Sequence, residues 1–173
     1  MSRDLALLDP EFRKRVEIIL GRVNSETDAY QLRVFYTLRT PKEQAKLWRQ
    51  SRSSEQIRNT VAMLRRHKAN FLADTIYSVG PQHGRWATNA FPGQSWHQWG
   101  MAVDSFVVMD GRAVWNSRHA GYQRYAAIGK EEGCTCGAYW RRADAVHIQM
   151  TDEKVTQLHS WIEINDAMKD RFG

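Results

Sequence analysis

The dipeptide Asp110-Gly111 stands between two β-prone runs, the apolar stretch that ends at Met109 and the segment 112–115. A two-residue loop of this composition adopts the positive φ angles of a tight hairpin, so it predicts antiparallel strands joined there. Residues 31–38 alternate and are rich in β-branched and aromatic types (Val34, Phe35, Tyr36, Thr37), which adds another strand. Helical patterns surround these runs. One starts with Asp9 as N-cap and Pro10 in the first turn, and carries Phe12, Val16, Ile19, Leu20 and Val23 at three- and four-residue steps. Thr40-Pro41-Lys42-Glu43 reads as a capping box that launches a short helix through Trp48. Across 53–73, Ile57, Val61, Leu64, Phe71 and Leu72 recur at helical spacing and predict one amphipathic helix. From Thr151 a further helix is expected, with Asp152 and Glu153 in its first turn and Val155, Leu158, Ile162 and Met168 inward. Strands joined by a hairpin and flanked by helices make the fold class α+β, a small antiparallel sheet with helices around it.

The chain has 173 residues, 42% of them hydrophobic and 25% charged, enough for a real core without disulfide staples. A disordered or fibrous chain is excluded. No internal repeat or linker divides it, so 1–173 reads as a single domain, with 53–73 as a helical insertion and 151–172 as a C-terminal helix. No apolar run approaches the roughly 18–20 residues of a membrane span, and the opening MSRDLALLDPEFRKRVE lacks a secretory layout. A cytoplasmic protein with no stable membrane insertion is expected. Cys134 and Cys136, one residue apart, read as a reduced pair in a loop. The formal charge of +6 favours an anionic polymer as partner.

Residues 78–95 carry Gly80, Pro81, Gly84, Pro92 and Gly93 and predict a long loop, a feature more often functional than idle. It leads into SWHQWGMAVD at 95–104, where the sequence turns apolar and β-prone from His97 onward. His97 and Asp104 are too far apart in sequence to share a helical turn. A bend at Gly100, with Asp104 on the strand that follows, would bring imidazole and carboxylate together. His147, in the strand-like VHIQM, can supply a third ligand from a neighbouring strand. Two histidines and one carboxylate leave a position of tetrahedral zinc open to water, the pattern of a catalytic centre. Asp144, three residues before His147, can act as general base and later return the proton to a leaving amine. H-E-x-x-H and G-x-S-x-G are both absent.

SWHQWGMAVD resembles the S-x-H-x-x-G-x-A-x-D signature of the zinc D,D-carboxypeptidase and L-alanyl-D-glutamate endopeptidase family, which includes VanY-like and VanX-like peptidases and related phage endolysins. NAFPGQ at 89–94, DAVHIQ at 144–149, LLDPEFRKRVE and LRTPKEQAKLWRQ are similar to other parts of that family's pattern, so the resemblance runs from about Leu7 to about Met150. It implies the zinc D-Ala-D-Ala carboxypeptidase (hedgehog-like) fold, with zinc on His97, Asp104 and His147 and Asp144 as base. It also implies Arg39 as a clamp on substrate or oxyanion, with Gln44 near it and Ser95 binding the peptide. A guanidinium suits that task because it grips an oxyanion through parallel hydrogen bonds. Aspartate at 144, where many relatives carry glutamate, resembles the endolysin branch.

The implied function is a zinc peptidase that cuts the L-alanyl-D-glutamate bond of the peptidoglycan stem peptide. It would be a monomeric phage-type endolysin that waits in the host cytoplasm and reaches the wall after the membrane is permeabilised. The alternatives are a D-alanyl-D-alanine carboxypeptidase and a non-catalytic zinc- or wall-binding module. Nucleic-acid binding is supported by the charge balance alone, and no nucleic-acid partner is expected. His67, His83, His119 and His159 belong to no patterned cluster, and Trp86, Trp96, Trp99, Trp115 and Trp140 read mostly as core, with one or two free to line a cleft. The run Arg65-Arg66-His67-Lys68 reads as a solvated helix face.

Overall fold

In the computed structural model, which describes residues 2–173, Asp110 and Gly111 take φ values of 50° and 73°, the double left-handed turn that their hairpin requires. In chain order the elements are α1 (Pro10–Ser25), β1 (Gln31–Tyr36), α2 (Pro41–Arg49), α3 (Ser54–Arg66), α4 (Asn70–Ser78) and the single-turn α5 (Trp96–Trp99). They continue with β2 (Ala102–Met109), β3 (Arg112–Val114), α6 (Ala120–Glu131), β4 (Thr135–Cys136), β5 (His147–Gln149), α7 (Val155–Leu158) and α8 (Trp161–Phe172). The mixed architecture of helices and antiparallel sheet is the one the sequence predicts. Among the described residues no helix is long and apolar enough to cross a membrane.

Two compact units are built from interleaved stretches of chain. The chain up to Leu38 joins Trp99–Asp152 in a sheet unit. Its strands run β1-β2-β5-β4, all antiparallel, and β3 pairs with β2 through the hairpin. Helix α1 starts where the sequence predicts, because the Asp9 carboxylate accepts from the N–H groups of Glu11 and Phe12 at 3.0 and 3.1 Å. Its buried stripe, Phe12, Val16, Ile19 and Val23, meets Tyr122, Tyr125 and Ile128 of α6 and the sheet residues Leu32, Val103, Val107 and Ile148. Strand alternation then turns Asp104, between Val103 and Ser105, to the opposite face of β2.

Helix α6 has no counterpart in the sequence reading. Its cap is the His119 imidazole, which accepts from the Gly121 N–H at 3.1 Å, and it contains Gly121 and Gly129, poor helix formers both. Gly129 lies where a Cβ would come within 2.9 Å of Cys136 Sγ, so a glycine there lets α6 approach β4.

Arg39–Gln98 and Glu153–Gly173 form a helical unit. The Thr40–Glu43 capping box opens α2 as expected. The single helix expected over 53–73 is instead two, α3 and α4, and α4 runs on to Ser78. Lys68 takes φ +60°, while the Lys68 and Ala69 N–H groups bond the carbonyls of Arg65 at 3.0 Å and Leu64 at 2.9 Å. This is a Schellman ending with lysine in the position that glycine usually marks, so the sequence carries no punctuation at the break. Helix α4 packs against α2, α3 and α8. The expected C-terminal helix also divides. A capping box, Ser160 with Glu163, restarts the chain as α8 after α7. Asp152 and Glu153 precede both helices, and Leu158 and Ile162 are exposed, while Val155 and Met168 are buried as expected.

The loop 79–94 has no regular structure, and side chains from the α2 region bond its backbone carbonyls. Gln44 Nε2 donates to Ala90 at 2.6 Å and Arg52 Nη2 donates to Thr88 at 2.7 Å.

Candidate metal centre

His97 sits on α5, a helical turn rather than the start of a strand, and its carbonyl accepts from the Arg39 N–H at 3.3 Å. The chain then bends at Gly100, φ +75°, where a Cβ would stand 2.9 Å from the Leu7 carbonyl oxygen. Three residues on, β2 and β5 pair in a register that sets Asp104 directly opposite His147. His97, Asp104 and His147 are 2%, 8% and 9% exposed, and one ligand atom from each lies within 4.8 Å of the other two.

His147 Nδ1 is 3.0 Å from Asp104 Oδ1, and its Nε2 is 3.0 Å from Gln149 Oε1. Burial pulls the pKa of this imidazole down. The hydrogen bond and charge of Asp104, the bond to Gln149 and the charge of Asp144 outweigh burial and leave it raised. The Trp140 ring lies against it, with centroids 5.1 Å apart.

Asp144 is exposed, on the turn that leads into β5. Its N–H donates to the Gly137 carbonyl at 2.9 Å, and its own carbonyl accepts from the His147 N–H at 3.2 Å. A Cβ on Gly137 would meet the Asp144 carbonyl oxygen at 2.5 Å and the His147 Cβ at 3.2 Å, so only glycine lets this turn close. The expected base and the last expected ligand are thus held by one short stretch of backbone.

The remaining expected residues fall in the helical unit. Arg39 Nη1 donates to Gln44 Oε1 at 3.1 Å. Gln44 is fully buried, with its amide engaged between Arg39 and Ala90, so it supports the arginine and has no face left for a substrate. Ser95 is half-buried at the head of α5, where its carbonyl accepts from the Gln98 N–H at 2.9 Å. Gln98 Oε1 in turn accepts from the Gly93 N–H at 2.8 Å and ties the loop to α5. The loop lines a cavity of about 470 Å³ with Asn89, Ala90, Phe91 and Gln94, and Lys154 stands at its wall.

Two contributors had no role in the sequence reading, Gln149 and Gly137, while Trp140 is one of the tryptophans expected to be core or to line a cleft. Gln149 follows His147 by two residues on a strand, a spacing that by itself places both on one face. Gly137 comes from the segment between β4 and β5 and carries no local signal.

Two imidazoles and a carboxylate, nearly buried, make His97, Asp104 and His147 a group that could hold a metal ion. The sheet hydrogen-bond register places two of the three, Asp104 and His147, opposite each other in an α+β fold. Residues 88–150, the span that contains His97, Asp104, Asp144 and His147, match the family model described as D-alanyl-D-alanine carboxypeptidase. Among solved structures the chain is similar to a mutant of the vancomycin-resistance D,D-pentapeptidase VanY from a VanB-type resistance cassette, in complex with Zn(II). The identity is 18%, with 91% of this chain and 83% of that chain covered at a TM-score of 0.46. No curated protein matches.

Proposed function

We propose that the chain is a zinc-dependent peptidase acting on peptidoglycan, with residues 1–173 serving one peptidase activity. The observation that carries this reading is the convergence of His97, Asp104 and His147, with Asp144 on the turn that ends at His147. The donor set fits zinc, because tetrahedral ligands about 2.0–2.2 Å from the ion stand about 3.3–3.6 Å apart, and Nδ1 of His147 is already 3.0 Å from Asp104 Oδ1. Bound there, zinc would polarise a scissile carbonyl and lower the pKa of water to about 7.

The chain's own groups supply the rest. The Asp144 carboxylate, exposed and acceptor-only when ionised, takes a proton from the attacking water and later gives it to the leaving amine. The Arg39 guanidinium, held by Gln44, grips a substrate carboxylate or the developing oxyanion, and Ser95 at the head of α5 binds the peptide backbone. Within peptidoglycan the favoured bond is L-alanyl-D-glutamate, on the ground that aspartate stands at 144. The enzyme would then serve as a monomeric phage-type endolysin, held in the host cytoplasm and delivered to the wall when the membrane is permeabilised. The matched family's description favours a second reading, D-alanyl-D-alanine carboxypeptidase.

Mass spectrometry of soluble fragments from Gram-negative murein, digested by the zinc-loaded protein with a chelated control, separates the readings. New amino-terminal D-glutamate, lost on chelation, is the expected result. Free D-alanine would transfer the enzyme to the carboxypeptidase reading. Stoichiometric zinc without any cleavage would overturn catalysis altogether.

A further inference from the structure

Gln149 and His147 lie on the same face of β5, and the Gln149 amide is bonded at both ends. Its Nε2 donates to the carbonyl oxygen of Thr151, an atom that can only accept. The amide is therefore oriented by chemistry, with its NH₂ toward Thr151 and its oxygen toward His147. That oxygen, 3.0 Å from His147 Nε2, is itself only an acceptor, so Nε2 must carry a hydrogen. In the neutral ring the lone pair then resides on Nδ1, which faces Asp104 Oδ1 at 3.0 Å. A lone pair and a carboxylate oxygen at that distance repel each other unless a proton on Nδ1, in the charged ring, or a metal ion lies between them, and in both cases Nε2 keeps its hydrogen.

We propose that Gln149 is a positioning residue for the metal: it fixes His147 in the Nε2–H tautomer, so that Nδ1 and the Asp104 carboxylate together face one divalent ion. This inference rests on the zinc reading above. Partners of this kind, which hold the distal N–H of a metal-ligating histidine, typically change metal affinity 10–100-fold when removed. The register contributes as well, since Gln149 pairs with both Ala102 and Thr135 across the sheet and is held in the interior of the β2-β5-β4 ladder.

The test is zinc affinity by chelator competition for the wild type, Gln149→Leu and Gln149→Glu, joined to long-range ¹H–¹⁵N spectra of the imidazoles in the zinc-loaded wild type. The expected result is a His147 ring protonated at Nε2 and metal-bound at Nδ1. Gln149→Leu should bind zinc about 10–100-fold more weakly. Gln149→Glu, which keeps an acceptor for Nε2–H, should stay within a few-fold of wild type. Gln149→Leu with wild-type affinity, or a wild-type spectrum showing Nε2 on the metal, would overturn the role of Gln149 while leaving the zinc centre standing. A wild-type protein that binds no zinc would instead remove the zinc reading, and this inference with it. The wild-type spectrum decides the question even where the leucine variant does not fold.

Discussion

Half-buried Arg39 and buried Gln44 form a pair in which the guanidinium Nη1 donates to the amide oxygen at 3.1 Å while the amide nitrogen donates to the Ala90 carbonyl at 2.6 Å. The glutamine links an arginine at the mouth of α2 to the loop that precedes α5, and both its polar ends are committed. Gln44→Leu removes both bonds at once and leaves the Ala90 carbonyl without its donor. We expect a loss of about 1–3 kcal/mol in a denaturant melt. Turnover should drop further than stability explains, because Arg39 loses its orientation, while zinc affinity stays at the wild-type level. Unchanged kcat/KM would sink the assignment of Arg39 as a clamp.

Gly100 and Gly111 share a left-handed backbone, φ +75° and +73°, but not the same surroundings. A Cβ at Gly111 meets nothing within 4 Å, whereas one at Gly100 meets backbone, the Leu7 carbonyl oxygen at 2.9 Å and the Asp9 nitrogen at 3.2 Å. Gly111→Ala should therefore cost only the conformational term of about 1–2 kcal/mol. Gly100→Ala should cost more, because the added methyl group meets backbone on two sides. Equal melting shifts for the two variants would show that the chain around Leu7 yields without penalty.

What could be read from the sequence follows from how local its causes are. Asp9, the Thr40–Glu43 box and Asp110-Gly111 act within four residues, so α1, α2 and the hairpin were all legible. His97, Asp104 and His147 could be singled out because their motif fixes residue types at fixed spacings. The break between α3 and α4 was not, since Lys68 occupies a left-handed position where glycine would have been the signal. Helix α6 was hidden by a histidine cap and two internal glycines, which serve packing against Tyr30 and Cys136. The place of Gln44 depends on Ala90, 46 residues away, and only the folded chain brings them together.

Cys136 is buried in β4, with Sγ 3.3 Å from the Ala126 carbonyl, and its thiol pKa is pushed up to about 11 by burial, then by the neighbouring Cys134. The thiol should therefore resist iodoacetamide in the native protein at neutral pH and react promptly in denaturant. The sign of the stability effect follows from the same shift. The unfolded thiol ionises near its ordinary value of 9.0 and the folded one only near 11, so its contribution is full below pH 9 and is lost as pH climbs toward 11. Cys136→Ala should flatten that part of the alkaline stability profile. An identical alkaline slope in the variant would show that another group is responsible.

Asp144 and Gly137 share one turn but should fail in different ways. Asp144→Asn keeps the shape of the side chain and leaves the backbone bonds to Gly137 and His147 intact, so the three metal ligands stay where they are. Zinc should remain bound with near wild-type affinity while kcat falls by about 10²–10⁴, the range supplied by a positioned proton acceptor. Gly137→Ala instead drives a methyl group into the Asp144 carbonyl at 2.5 Å and the His147 Cβ at 3.2 Å. It should displace ligand and base together, so zinc affinity, stability and turnover all decline. The discriminating measurement is the pair of zinc titrations beside the pair of kcat values. If Asp144→Asn retained full turnover on murein, the proton would have to be handled by a different residue, and the functional part of the 144–147 turn would shrink to the single ligand His147.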